Sequence, residues 1–167
     1  MAEVAAAAGI SQGLAYRYFA NKDELFRALV EDAMQSREAL SILDMPGTPG
    51  ARLNFLVWAV VKSRREHPQL FQLLDHVMSD AGTPADLVEL VHGRGQRFME
   101  ILRQLIVEGQ ATREVAGDDP EQLMTAVVAC IDGLSRLAAR HPEGTGHFPD
   151  PEILLRMLRP PAKEEGK

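Results

Sequence analysis

Lys22 is hard to explain by folding alone. Asn21 and Glu24 form a capping-box pattern, so Lys22 falls in the first turn of a helix. A cation there opposes the helix macrodipole. Free amides plus an ammonium group at a helix start do make a site for phosphate. Just upstream, Tyr16, Arg17 and Tyr18 add hydroxyl and guanidinium donors, the mix that contacts to a nucleic-acid backbone use. Gly13 falls on the outer face of a short helix, where glycine costs about 1 kcal/mol relative to alanine. A close approach of DNA to that backbone would compensate. Enzyme chemistry has weaker support. Glu89-x-x-His92 has the spacing of a di-iron bundle, but the chain holds no second copy. Cys130 sits among apolar neighbours as an inert thiol, and the histidines at 67, 76, 92, 141 and 147 lack metal-ligand spacing. There is no phosphate-binding glycine loop. Neither metal nor cofactor is expected, and the chain is not read as an enzyme.

Those residues must be positioned by helices. The 167 residues are 46% hydrophobic and 25% charged, the balance of a globular protein. Aromatics are scarce, β-branched runs are short, and no stretch alternates as a strand would. The fold class is all-α. A length of this order buries enough surface to need no disulfide, and the single cysteine fits a reducing cytoplasm. No apolar run approaches the roughly 20 residues of a membrane span, and no basic region at the start marks a signal peptide. The net charge of −6 excludes a polycation that grips nucleic acid indiscriminately. Thr83-Pro84, Asp119-Pro120 and Asp150-Pro151 each place a capping side chain before a proline at the first helical position. Ser11 caps a further short helix, and stops are expected at Gly9, Pro68, near Gly82, at Gly109 and over 141–149. The resulting helices cover about 2–8, 12–18, 22–42, 51–66, 69–80, 84–109, 120–140 and 151–158. Residues 1–43 form a helix-turn-helix unit with its connecting helix, incomplete at its N-terminus. A linker at 44–50, a bundle over 51–159 and a polar tail at 160–167 complete the chain.

The segment AEVAAAAGISQGLAYRYFANKDELFRALVEDAM resembles the DNA-binding region of the tetracycline-repressor (TetR) family of bacterial regulators. The likeness includes the Ala-Gly-Ile-Ser turn, the Tyr-x-Tyr-Phe end of the recognition helix and the Asn-Lys-x-x-Leu opening of the next helix. Carried over by position, it implies that Gln12, Gly13 and Tyr16 read the major groove. Arg17, Tyr18 and Lys22 would contact phosphates, Ser11 would cap the recognition helix and touch a phosphate, and Leu14 and Phe19 would pack inward. It also implies a further helix ahead of residue 1, so the start is expected to lie upstream. Over residues 1–40 four positive charges face six negative ones, a net of −2, which is poor for DNA binding. The alternative reading is a dimeric ligand-binding module that has lost its DNA grip.

The bundle resembles the family less. Residues 109–134 are similar to the stretch before and within the family's penultimate helix, which pairs with the last helix across a homodimer interface. Small residues Ala126, Ala129, Cys130 and Gly133, with Leu137, share one face and permit close helix approach. Ile153, Leu154 and Met157 complete the expected interface, while Met124, Val127, Val128, Ile131 and Leu134 face the subunit core. The expected ligand cavity is lined by Phe55, Trp58, Phe71, Leu74, Met78, Val91, Phe98, Met99, Leu102 and Met124, with His92 and Arg94 as polar members. The resemblance implies a homodimeric cytoplasmic regulator, usually a repressor, with three partners: palindromic operator DNA, a small-molecule effector and a second copy of itself.

Overall fold

The computed structural model describes residues 1–35, 41–140 and 148–161. Within them the elements are α1 (Ala2–Ala7), α2 (Gln12–Tyr18), α3 (Lys22–Gln35), a 3-10 turn (Ser41–Asp44), α4 (Pro49–Glu66), α5 (Pro68–Ser79), α6 (Ala85–Ala111), α7 (Pro120–Ala139) and α8 (Pro151–Leu155), which tightens into a 3-10 turn at Arg156–Leu158. The fold is all-α, as expected, with no strand among the described residues. None of these helices is long and apolar enough to cross a membrane.

Local chemistry accounts for most boundaries. The Ser11 hydroxyl accepts from the Leu14 amide at 3.1 Å, Asn21 Oδ1 from Glu24 at 2.8 Å, and Asp119 Oδ1 from Gln122 at 3.0 Å. Gly9 turns the chain between α1 and α2 at a φ of +67°, a backbone that glycine adopts without strain. Three expectations are corrected. Helix α6 starts at Ala85 with no side-chain cap, so Thr83 does not serve as one. Gly109 does not end that helix, which runs on to Ala111. A Cβ at Gly109 would lie 2.4 Å from Val115 Cγ2, so the glycine is there for the returning loop. Residues 41–44 form a 3-10 turn where the expected α-helix would have reached residue 42; residues 36–40 of that helix lie outside those described, as do 141–147 and 162–167.

The main core lies between α4, α6, α7 and α8. Leu53, Leu56, Val57 and Val61 meet Ile101, Leu102, Leu105 and Ile106, closed by Val127, Ile131, Leu155 and Leu158. Burying such side chains stabilises by roughly 1.5–3 kcal/mol each. Gln110 Nε2 donates to the carbonyls of Ala116 and Asp118 at 2.7 Å, and Ala116 donates to Leu158 at 2.8 Å, so the 112–119 loop is tied to α8. A second cluster of Val30, Val77 and Leu87, flanked by Phe26, Leu73, Val88 and Val91, seats α3 on α5 and α6. Arg27 on α3 also pairs with Asp86 on α6.

Candidate functional site

Helix α2 and the start of α3 carry the first site. Ala15 is the buried residue of α2 and Ala5 that of α1, and the two helices are in contact. With alanine at the buried position, the larger side chains of α2 are left exposed. Ser11, Gln12, Gly13, Tyr16, Arg17, Tyr18 and Lys22 are all exposed, Tyr18 at 69%. Gln12, Gly13 and Tyr16 share one face by helical spacing. Among the described residues no other element lies within 4 Å of a Cβ placed on Gly13. Leu14 is 39% exposed, Val4 and Ile10 are exposed as well, and Phe19 is half-buried.

The expected ligand-lining residues scatter. Leu102 and Met124 belong to the main core, with Phe98 packed against it. Phe55 and Trp58 stand on the outer face of α4, Trp58 at 44% exposure, with ring centroids 6.2 Å apart. Lys62 Nζ sits 5.0 Å from the Trp58 ring. Phe71 is half-buried beneath Arg64, whose guanidinium lies 4.7 Å from its centroid, and Leu74 is half-buried. Met78, Val91, His92 and Met99 do meet, lining a groove of about 610 Å³ along α6 with Gly95, Gln96 and Glu100. Arg94 is half-buried and is not among the residues lining that groove; its desolvation lowers its pKa. Sequence reading missed Gly95, Gln96 and Glu100. Their signal was the spacing 92, 96, 99 and 100, which puts all four on one face of a helix.

The expected interface face divides too. Ala126, Ala129, Gly133 and Leu137 on α7, and Ile153 and Met157 near α8, are exposed. Cys130 is half-buried against the main core, and Leu154 is 6% exposed within it, so Leu154 faces its own subunit and not outward. A proline at the first position sets the direction of α8, and Asp150 caps it through Glu152 at 2.9 Å.

A short helix pair that buries alanines and presents amide, phenol, guanidinium and ammonium groups, joined by α3 to a larger bundle, defines a class: helix-turn-helix regulators of transcription. The pattern of bacterial regulatory proteins of the tetR family matches residues 1–29. That of the BetI-type transcriptional repressor C-terminal region matches residues 49–157. The chain belongs to the TetR family. No curated protein matches it. Among solved structures it is similar to the MbdR regulator from Azoarcus sp. CIB, at 26% identity over 93% of this chain and 86% of that one, with a TM-score of 0.72. It also resembles a regulatory protein of the tetR family from Rhodococcus RHA1, at 19% identity over 94% and 84% with a TM-score of 0.67. A TetR/AcrR-family regulator from Thermobifida fusca YX-ER1 shares the fold at 22% identity over 93% and 82%, with a TM-score of 0.62.

Proposed function

We propose that this TetR-family chain is a homodimeric repressor that binds a palindromic operator and is released by a small molecule bound in its helical bundle. The observation that carries the reading is the outward placement of Ser11, Gln12, Gly13, Tyr16, Arg17, Tyr18 and Lys22 on one short stretch. Gln12, Gly13 and Tyr16 enter the major groove, and Arg17, Tyr18 and Lys22 hold phosphates on either side. A dimer would set two such helices about 34–36 Å apart, one turn of DNA. The second copy docks on the exposed α7–α8 face, where no other element among the described residues lies within 4 Å of a Cβ at Gly133, leaving room for a close helix. Effector binding moves α3, which links the two units through Val30, and favours a separation that no longer matches the operator. To empty the operator it must prefer that state by several kcal/mol.

The test is fluorescence anisotropy of the chain on its own upstream intergenic DNA across a salt series, after light scattering confirms a dimer. Lys22→Ala weakens binding to all sequences alike and lowers the salt slope by about 1 per subunit. Gln12→Ala relaxes base preference at one operator position. An unchanged slope in Lys22→Ala defeats the phosphate assignment. Binding no better than to random DNA leaves two readings, a helix encoded upstream of residue 1 or a ligand-binding module, and repeating the assay with the upstream codons restored separates them.

A further inference from the structure

The buried apolar side chains form two clusters, and among the described residues α6 is the one helix that contributes to both. The main cluster draws on α4, α7, α8 and the part of α6 from Phe98 onward. The second draws on α3 through Phe26 and Val30, on α5 through Leu73 and Val77, and on the start of α6 through Leu87, Val88 and Val91. Between Val91 and Phe98 no residue of α6 belongs to either cluster. That stretch holds Gly93 and Gly95, which flank the half-buried Arg94 in the interior of the helix. Glycine weakens a helix interior more than any residue but proline, and glycine pairs are among the few causes of a bend. No other element among the described residues lies within 4 Å of a Cβ at either position, so packing requires neither glycine. At about 100° per residue the two also point to nearly opposite sides, and no single neighbour could need both. Gly109 differs, because Val115 accounts for it.

A second joint lies at His67, the single residue between α4 and α5, where Pro68 opens the new helix without an amide. Across it Arg64 of α4 lies 4.7 Å from the Phe71 ring of α5, and α7 holds the same guanidinium through Asp132 at 2.8 Å and Ser135 at 3.1 Å. The groove of about 610 Å³ runs along the glycine turn, lined by Met78 and Val91 from α5 and the start of α6, and by Met99 and Glu100 from beyond the turn.

We propose that α3, α5 and the start of α6 move as one body against the rest of the bundle, with Gly93–Arg94–Gly95 and His67 as its two joints and Arg64 on Phe71 as its clasp. The groove along α6 is the space into which the two bodies close. A hinge needs only a few residues to absorb the change in φ and ψ. This division holds whether or not the chain binds DNA.

Pulsed electron paramagnetic resonance on the full chain tests it, with Cys130→Ala, spin labels on introduced cysteines, and labelled chain diluted into unlabelled chain so that one copy is read. Glu31, Gln72 and Val107 are exposed and accept labels. Glu31→Cys with Gln72→Cys reports within the moving body and gives a narrow distance distribution. Gln72→Cys with Val107→Cys spans the joints and gives a broad one. Gly93→Ala with Gly95→Ala narrows the spanning distribution and leaves the internal one as it is. Phe71→Leu, which removes the ring and keeps an apolar side chain, broadens it. Hydrogen exchange locates the joint: amides of residues 94–99 exchange about tenfold or more faster than those of 89–92 and 102–106 in the same helix. The two alanines remove most of that difference. Exchange that slows steadily from Ala85 inward is fraying of a helix end and overturns the hinge. A spanning distribution as narrow as the internal one, or unchanged by the two alanines, overturns it as well. A broad internal distribution overturns the single moving body, and a Phe71→Leu distribution no broader than that of the wild type overturns the clasp.

Discussion

The α1–α2 pair buries Ala5 and Ala15, while the bundle buries Leu102, Leu105 and Ile106 to 0% exposure along one helix alone. In the first region the inward side chains are the smallest available, so the identity of the large ones reports what they meet outside. In the second the large side chains point inward, so their identity reports packing. What the core leaves open on the bundle includes the His92–Glu100 side of α6 and the small-residue face of α7. The same residue type therefore carries opposite information in the two places. Leu14 is a half-open surface side chain, and Leu105 is a keystone of the core.

The sharpest way to break this contrast is a pair of leucine truncations followed by urea denaturation at one fixed protein concentration. Leu105→Ala is expected to cost about 2–5 kcal/mol, the transfer of a buried side chain plus the cavity it leaves. Leu14→Ala removes a side chain already 39% exposed and is expected to cost less than about 1 kcal/mol. Equal losses would show that the α1–α2 pair is a packed core after all. A second pair uses glycines. Gly109→Ala drives a methyl to 2.4 Å from Val115 Cγ2, and overpacking of that kind costs about 1–3 kcal/mol, offset in part by helix propensity. Gly133→Ala meets no other element within 4 Å among the described residues, so the subunit should gain up to about 1 kcal/mol, while a dimer built on the α7 face should weaken. Sedimentation for the dimer and denaturation for the subunit separate the two signs. If Gly133→Ala strengthens the dimer, the α7 face is not the contact.

The difference between the regions also explains what could be read from the sequence. Caps at Ser11, Asn21, Asp119 and Asp150 were legible because a capping side chain bonds an amide two or three residues away, a relation that sequence spacing contains. The outward donors of α2 were legible for the same reason, since a seven-residue helix has few ways to turn. The α6 groove was not. Apolar residues such as Leu102 and Met124 suit a pocket and a core equally in composition, and tertiary packing sends both to the core. Gln96 and Glu100 read as ordinary surface until the neighbours of α6 are placed, because the open side of a helix is decided by its partners. Gly109 shows the same limit. As a residue type it signals a helix end, and only the position of Val115 reveals that a close approach is what it serves.

The smallest expected effect joins the two regions. Arg27 on α3 and Asp86 on α6 form an exposed ion pair that holds the connecting helix to the bundle. The hydrogen bond from Arg27 keeps the Asp86 carboxyl below its ordinary pKa, and the same bond raises that of Arg27. A depressed carboxylate contributes stability that is present above its ordinary pKa and lost as pH falls through the lowered, folded value. The Arg27 side acts in the other sense, and its contribution fades only as pH rises through strongly alkaline values. Asp86→Asn should therefore lower Tm slightly at pH 7, and the gap to wild type should close in acid. Salt should narrow it as well, since exposed pairs are weak and screened. A gap that persists in acid would mean that Asp86 acts through shape and not charge. The hold of α3 on the bundle would then rest on the Val30–Val77–Leu87 cluster with Phe26, Leu73, Val88 and Val91 around it, and Val30→Ala should lower Tm more than Asp86→Asn does.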